Sequence, residues 1–200
     1  MHWREASEQI AAIHSQVLRS ELSPAFRAAP TAATAALATL LMAYQLWIAL
    51  PSDDLSFAWQ WLALAVGALL ICASDLLYRW TRATRDERRR FAQALTQLSP
   101  ALLVGAALTG DQLLRADLGN LPALWTAHFG VALWAARQYL PRGMTKVATF
   151  YLLGALGLLV LGDLALPARS LAMGALFGCG QAASALYLHR HYQSQRGNLR

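Results

Sequence analysis

The chain has 200 residues, of which 56% are apolar and only 14% charged, with a mean hydropathy of +0.34. A globular domain carries about 25% charged residues, and a chain with so few cannot clothe a water-facing surface. The same figures exclude disordered, collagen-like and coiled-coil chains, two cysteines cannot frame a disulfide scaffold, and the net charge of +6 would point to nucleic acid only if the bases shared one soluble face.

Taken in chain order, residues 1–29 come first. Trp3, Ala6, Ile10, Ile13 and Val17 recur at 3-4-3-4 spacing, one face of a helix that ends before Pro24. Glu5, Glu8 and Glu21 interrupt the segment, so it is no signal peptide. Its three Arg and three Glu nearly cancel, which suits it poorly to riding an anionic membrane surface. We expect a cytoplasmic amphipathic helix over 1–29 whose residues 3–18 dock on a protein partner or a second copy.

Six apolar stretches follow, each near the 20 residues or so that a helix needs to cross the hydrocarbon core: 31–50, 57–78, 97–114, 121–140, 145–165 and 168–188. Turn formers and charges separate them: Pro51-Ser52-Asp53-Asp54, the run Arg79 to Arg90, Arg115 to Asn120, Pro141-Arg142-Gly143 and Pro167. With alternate connections assigned to alternate sides, fifteen Lys and Arg fall on one side and only Arg115 and Arg169 on the other. That bias places both termini and a short tail, 191–200, in the cytoplasm, and it accounts for the basic composition as topology plus attraction to anionic lipid. The Arg79–Arg90 run is a short connection tied between two spans, with no recognition helix or aromatic platform for nucleic acid.

The spans also resemble one another. Gly105 to Asp111 and Gly157 to Asp163 share Gly, a second Gly five residues on, then Asp. Gly130, Ala135, Tyr139, Leu140 and Arg142 match Gly178, Ala183, Tyr187, Leu188 and Arg190 in spacing; Gly67, Leu77 and Arg79 agree more loosely. The pattern predicts an all-α bundle over 31–190 made of three hairpins, 31–80, 97–142 and 149–190, about a pseudo-threefold centre. Small residues at Gly174-x-x-x-Gly178, Gly154-x-x-Gly157 and Ala32-x-x-x-Ala36 mark close helix approaches within it, since lipid supplies no hydrophobic drive between helices.

Ionisable residues inside a span are costly unless paired or wet, which makes them the candidates for function. Asp75 and Arg137 fall at nearly the same depth at the inner ends of the second and fourth spans, and we expect a structural ion pair between them. His128 lies about 10 Å into the fourth span. Asp111, Gln45, Gln60, Trp125 and Asp163 all fall in outer halves and could share its layer. Apolar and aromatic walls with a few polar contacts are what a small-molecule or lipid cavity requires. The competing expectation is a His128 satisfied by a neighbouring backbone group or by Asp111.

Catalysis, metals and cofactors are not expected. No H-x-x-x-H or E-x-x-H pair lies in a span, Cys72 and Cys179 are far apart, and Ser74, Ser99, Ser170 and Ser184 lack the setting of an intramembrane protease.

Leu121-Pro-Ala-Leu-Trp125, followed by Arg137-Gln-Tyr-Leu-Pro-Arg-Gly143, resembles a set of small six-span bacterial integral membrane proteins, which implies an inner-membrane location and no catalytic residues. In size, span number and Ala-rich first span, the chain is similar to the substrate-binding subunits of energy-coupling-factor vitamin transporters. That resemblance implies a first helix that contacts a transporter scaffold, although the outer loop near Pro51 is shorter than such a gate needs. Two functional expectations follow. One is a non-enzymatic sensor, regulatory or accessory subunit that engages a partner through its N-terminal helix. The other is a transporter or substrate-binding subunit with an outer cavity around His128.

Overall fold

The computed structural model describes residues 27–141 and 143–197. Regular structure among them is entirely helical: α1 (Ala28–Trp47), α2 (Asp54–Arg82), α3 (Arg85–Arg115), α4 (Leu121–Ala135), a 3-10 turn at Arg137–Tyr139, α5 (Met144–Leu161) and α6 (Leu166–Gly197). Residues 1–26, which hold nearly all of the expected amphipathic helix and its docking face 3–18, lie outside the described residues, as do Arg142 and 198–200. Among the described residues four helices, α2, α3, α5 and α6, are long and apolar enough to cross a membrane, the pattern of a helical membrane protein. α1 mixes Thr31, Thr34, Thr39 and Gln45 among its apolar residues, and α4 stops after 15 residues.

Local chemistry sets the helix limits. Asp53 caps α2 through its carboxylate, which accepts from the Ser56 backbone N–H at 2.7 Å, while the Asp53 N–H donates to the Ser56 hydroxyl at 3.2 Å. Thr84 and Glu87 form the same reciprocal box at the start of α3. The Arg79–Arg90 run is therefore not a loop. α2 carries Arg79 and Arg82 in its last turn, a two-residue corner follows, and α3 resumes with Asp86 and Glu87 in its first, each sign suiting the helix dipole it meets. Pro100 sits inside α3 and has no N–H to give the Thr96 carbonyl; the Ser99 hydroxyl donates to that carbonyl instead, at 3.3 Å. The expected tail is likewise helical as far as Gly197.

The helices pair antiparallel as α1 with α2, α3 with α4 and α5 with α6. Tyr44 and Leu37 of α1 face Gln60 and Gly67 of α2, Gly105 and Thr109 of α3 face His128 and Trp125 of α4, and Gly143, Gly154 and Tyr151 at α5 face Tyr187, Leu176 and Gly180 of α6. Two further seams join the hairpins: α1 lies along α6, and α4 along α5. Glycine makes both possible. A Cβ on Gly174 would overlap Met42, one on Gly178 would stand 2.7 Å from the Thr39 hydroxyl, and one on Gly130 would crowd Tyr151 and Leu152 at 3.1 Å. The α1 residues turned inward are Thr34, Ala35, Ala38 and Gln45, whereas Ala32 and Ala36 are exposed, so the close-packing register on that helix is displaced from the expected one. α2 and α3 meet at their corner, where Trp80 lies against Phe91 with ring centroids 6.3 Å apart.

The alternation gives the bundle an acidic end, with Asp53, Asp54, Asp117 and Asp163, and a basic end, with Arg79, Arg82, Arg85 and Lys146. Tyr151 stands at the centre of the core, fully buried among Phe129, Phe150 and Phe177.

Candidate functional site

The polar residues singled out in the sequence separate into local groups. Gln45 and Gln60 do come together, and Trp61 joins them. The Trp61 Nε1–H donates to Gln45 Oε1 at 3.3 Å, and Gln45 Nε2 donates to Gln60 Oε1 at 2.8 Å. Because an indole N–H can only donate, it fixes which way the Gln45 amide points, and Gln45 in turn fixes Gln60. The chain of bonds ends on the Gln60 NH2.

His128 is placed differently. Its Nδ1 is 2.8 Å from the Leu124 carbonyl, which can only accept, so Nδ1 carries the hydrogen. The ring lies against Gly105, where a Cβ would stand 3.2 Å from it. This is the backbone-satisfied arrangement. Trp125 donates its Nε1–H to the Thr109 hydroxyl at 2.9 Å, and Thr109 donates to the Gly105 carbonyl at 2.7 Å.

Asp111 does not reach His128. Gly105 and Thr109 share the α3 face turned to α4, and two residues further on the helix has rotated about 200°. Asp111 is instead half-exposed and paired with Arg115 at 2.9 Å. Asp163 is 90% exposed, 3.7 Å from Arg169. Of the six residues expected to share one layer, only Gln45 and Gln60 bond to each other; Trp125 packs near them against the Phe57–Trp61–Met173 cluster.

The Asp75–Arg137 pair is corrected. Asp75 Oδ2 is 2.8 Å from Arg79 Nη2, one turn along the same helix, and Asp75 Oδ1 is 3.7 Å from Arg27. Arg137 donates to the Trp134 carbonyl at 3.1 Å and lies over that indole, 5.4 Å from the ring centroid. α2 and α4 pack together near the acidic end, through Ala58, Leu121 and Leu124, while Asp75 and Arg137 sit toward the basic end.

Arg169 is a residue that sequence reasoning did not single out. On the first turn of α6, with its side chain only 9% exposed, it holds Asp54 at 2.8 Å. Its signal was its isolation, as one of two bases amid the acids of that end. Among the described residues, no three His, Cys, Asp or Glu side chains gather as a metal site, and both cysteines are free.

A cleft of about 420 Å³ opens between α1 and α2, lined by Leu37, Leu41, Tyr44, Gln60, Leu64 and Gly67 among others. It lies on the flank of the bundle, away from His128, with the Gln60 amide at its acidic end. In comparisons with known proteins, no family model, curated protein or solved structure matches the chain. Neither likeness drawn from its sequence therefore carries a residue role to it.

Proposed function

We propose that this is a bacterial inner-membrane protein of six spans, with both termini cytoplasmic, that acts without catalysis as a sensor, regulatory or accessory subunit and engages a cytoplasmic partner through its N-terminal helix. The observation that carries this reading is the fate of the candidate ligand residues. His128, Trp125 and Gln45 are engaged in bonds within the bundle and Asp111 in a surface pair with Arg115, so they do not face a shared cavity. The bundle is then a scaffold, and recognition falls to what extends from it.

Length supports six spans. α1, with 20 residues, is about 30 Å long, and α4 together with its 3-10 turn reaches about 28 Å, near the thickness of a hydrocarbon core. The segregation of acids and bases to opposite ends supports the orientation. The three-hairpin origin draws support from Gly130 and Gly178. They occupy matching places in the repeat, and both lie where the second helix of one hairpin meets the first helix of another, at α4–α5 and α6–α1.

The decisive experiment deletes residues 1–25 and compares cross-linked partners captured from native membranes. Loss of a discrete partner from a variant that still enters the membrane is the expected result. A partner that the deletion leaves in place would overturn the proposal, as would full-length chain that captures none. Reporters fused near residues 50, 118 and 164 are expected to read outside, and those near 83, 141 and both termini inside.

A further inference from the structure

We infer that the α1–α2 cleft seats one acyl chain of a bilayer glycerolipid, whose ester carbonyl accepts a hydrogen bond from Gln60 Nε2. The inference rests on the membrane reading of the chain and is independent of the partner proposed above. Leu37, Leu40, Leu41 and Tyr44 on α1 face Gln60, Ala63, Leu64 and Gly67 on α2, each set spaced i, i+3, i+4, i+7. Two such stripes would ordinarily interlock, yet here they stand apart around about 420 Å³ of open volume. In a bilayer an unfilled apolar seam forfeits the dispersion contacts of both walls, so an apolar occupant is required.

The amide names the class of occupant. Trp61 orients Gln45, and Gln45 takes up the Gln60 oxygen, so the NH2 of Gln60, a residue that lines the cleft, is left with no acceptor among the described residues. A donor at that depth has little water to satisfy it, and an unmet polar group in hydrocarbon is costly. Gln60 lies six residues beyond Asp54, about 9 Å down the helix from the charged end. The interfacial layer on each side of a bilayer is roughly 5–7 Å deep, so the amide falls close to the level where the ester carbonyls of glycerolipids give way to their chains. From there the cleft runs two turns further, to Gly67, along the direction an acyl chain takes. At Gly67 a Cβ would meet nothing within 4 Å, so the groove is open there and a side chain at this position enters the cleft.

The test is native mass spectrometry of the delipidated full-length chain, titrated with phosphatidylglycerol bearing two ester-linked chains and with its diether analogue, which lacks both carbonyls. One diester lipid per chain is expected, with the diether bound roughly three- to tenfold more weakly, the worth of one neutral hydrogen bond. Gln60→Leu should weaken the diester by the same factor and bring the two lipids level. Gly67→Phe should remove the single-lipid species while the thermal melt shows a folded chain. Equal binding of both lipids by the natural sequence would overturn the inference, as would lipid retention unaffected by Gly67→Phe. A dimer that Gly67→Phe splits would overturn it too, by assigning the cleft to a second copy. Recovery of the chain from the soluble fraction would defeat the membrane reading as well, whereas a membrane-embedded chain without ester preference defeats this inference alone.

Discussion

Arg169 and Asp54 are 115 residues apart in the chain and 2.8 Å apart in space. The contact ties the first turn of α6 to the first turn of α2, and Asp163 of the α5–α6 turn adds a second carboxylate at 3.7 Å. A cation in the first turn of a helix faces an unfavourable dipole. Asp54 offsets it, and the pair closes the acidic end across two hairpins.

Arg169→Leu is accordingly expected to destabilise the bundle by about 1–3 kcal/mol. That is less than a fully buried pair is worth, because Asp54 is 43% exposed and solvent screens it. Thermal unfolding in detergent micelles measures the change. An unaltered midpoint would show that the contact is incidental.

Tyr151 gives a prediction of opposite sign. Its ring is fully buried among aromatic neighbours, yet its hydroxyl has no hydrogen-bond partner among the described residues. Removing an unmet buried hydroxyl relieves its desolvation cost, so Tyr151→Phe should be neutral or stabilising by about 1 kcal/mol. A fall in the melting midpoint would mean that the hydroxyl bonds to something in the membrane-embedded protein.

Ala116 ends α3 in the left-handed region, with φ 57°. A side chain there costs about 1–2 kcal/mol relative to glycine, part of which glycine gives back through its freer unfolded chain. Ala116→Gly should therefore raise stability by about 0.5–1 kcal/mol. Gly162, at φ 64° and ψ −141° in the α5–α6 turn, occupies a conformation that side chains resist, so Gly162→Ala should lower it by about 1–3 kcal/mol. Measured together by chemical unfolding, the two substitutions should move in opposite directions; the same sign for both would refute the backbone account.

Asp53 sets an acid limit. The Ser56 backbone N–H, and after it the Ser52 hydroxyl, hold its carboxyl below the usual 3.8. Since the folded value is the lower one, the cap contributes fully above pH 3.8 and is lost as pH falls through the folded value. Amide exchange at residues 54–57 should accelerate below that pH, whereas Asp53→Asn, which caps without titrating, should abolish the step. An acid step that survives Asp53→Asn belongs to another group.

Hydropathy and turn residues made the long apolar helices readable, because a helix able to cross a membrane has a composition that water-facing segments do not share. Gly174 and Gly178 were readable as packing positions for the same reason: only a close neighbour explains small residues at that spacing. What escaped was lateral. Asp75 and Arg137 lie at matched depth, but depth says nothing of which helices adjoin, and Arg79 was one turn away throughout. His128 packs level with Gly105, about 9 Å along α3 from Asp111, which also lies on another face of that helix, and hydropathy records neither offset. The helical corner at Thr84-x-x-Glu87 was written in the sequence as a capping box and hidden by the surrounding arginines.

The seam between α1 and α6 also bears on how the protein is made. Its first described helix turns Thr34 and Ala38 toward a surface that the last helix supplies, with Met42 lodged where Gly174 leaves room. α1 is synthesised well before α6, so that face stays incomplete until the residues from Leu166 onward have been made. A nascent chain stalled before residue 166 thus leaves a polar, small-residue strip uncovered, open to any helix or quality-control factor that meets it first.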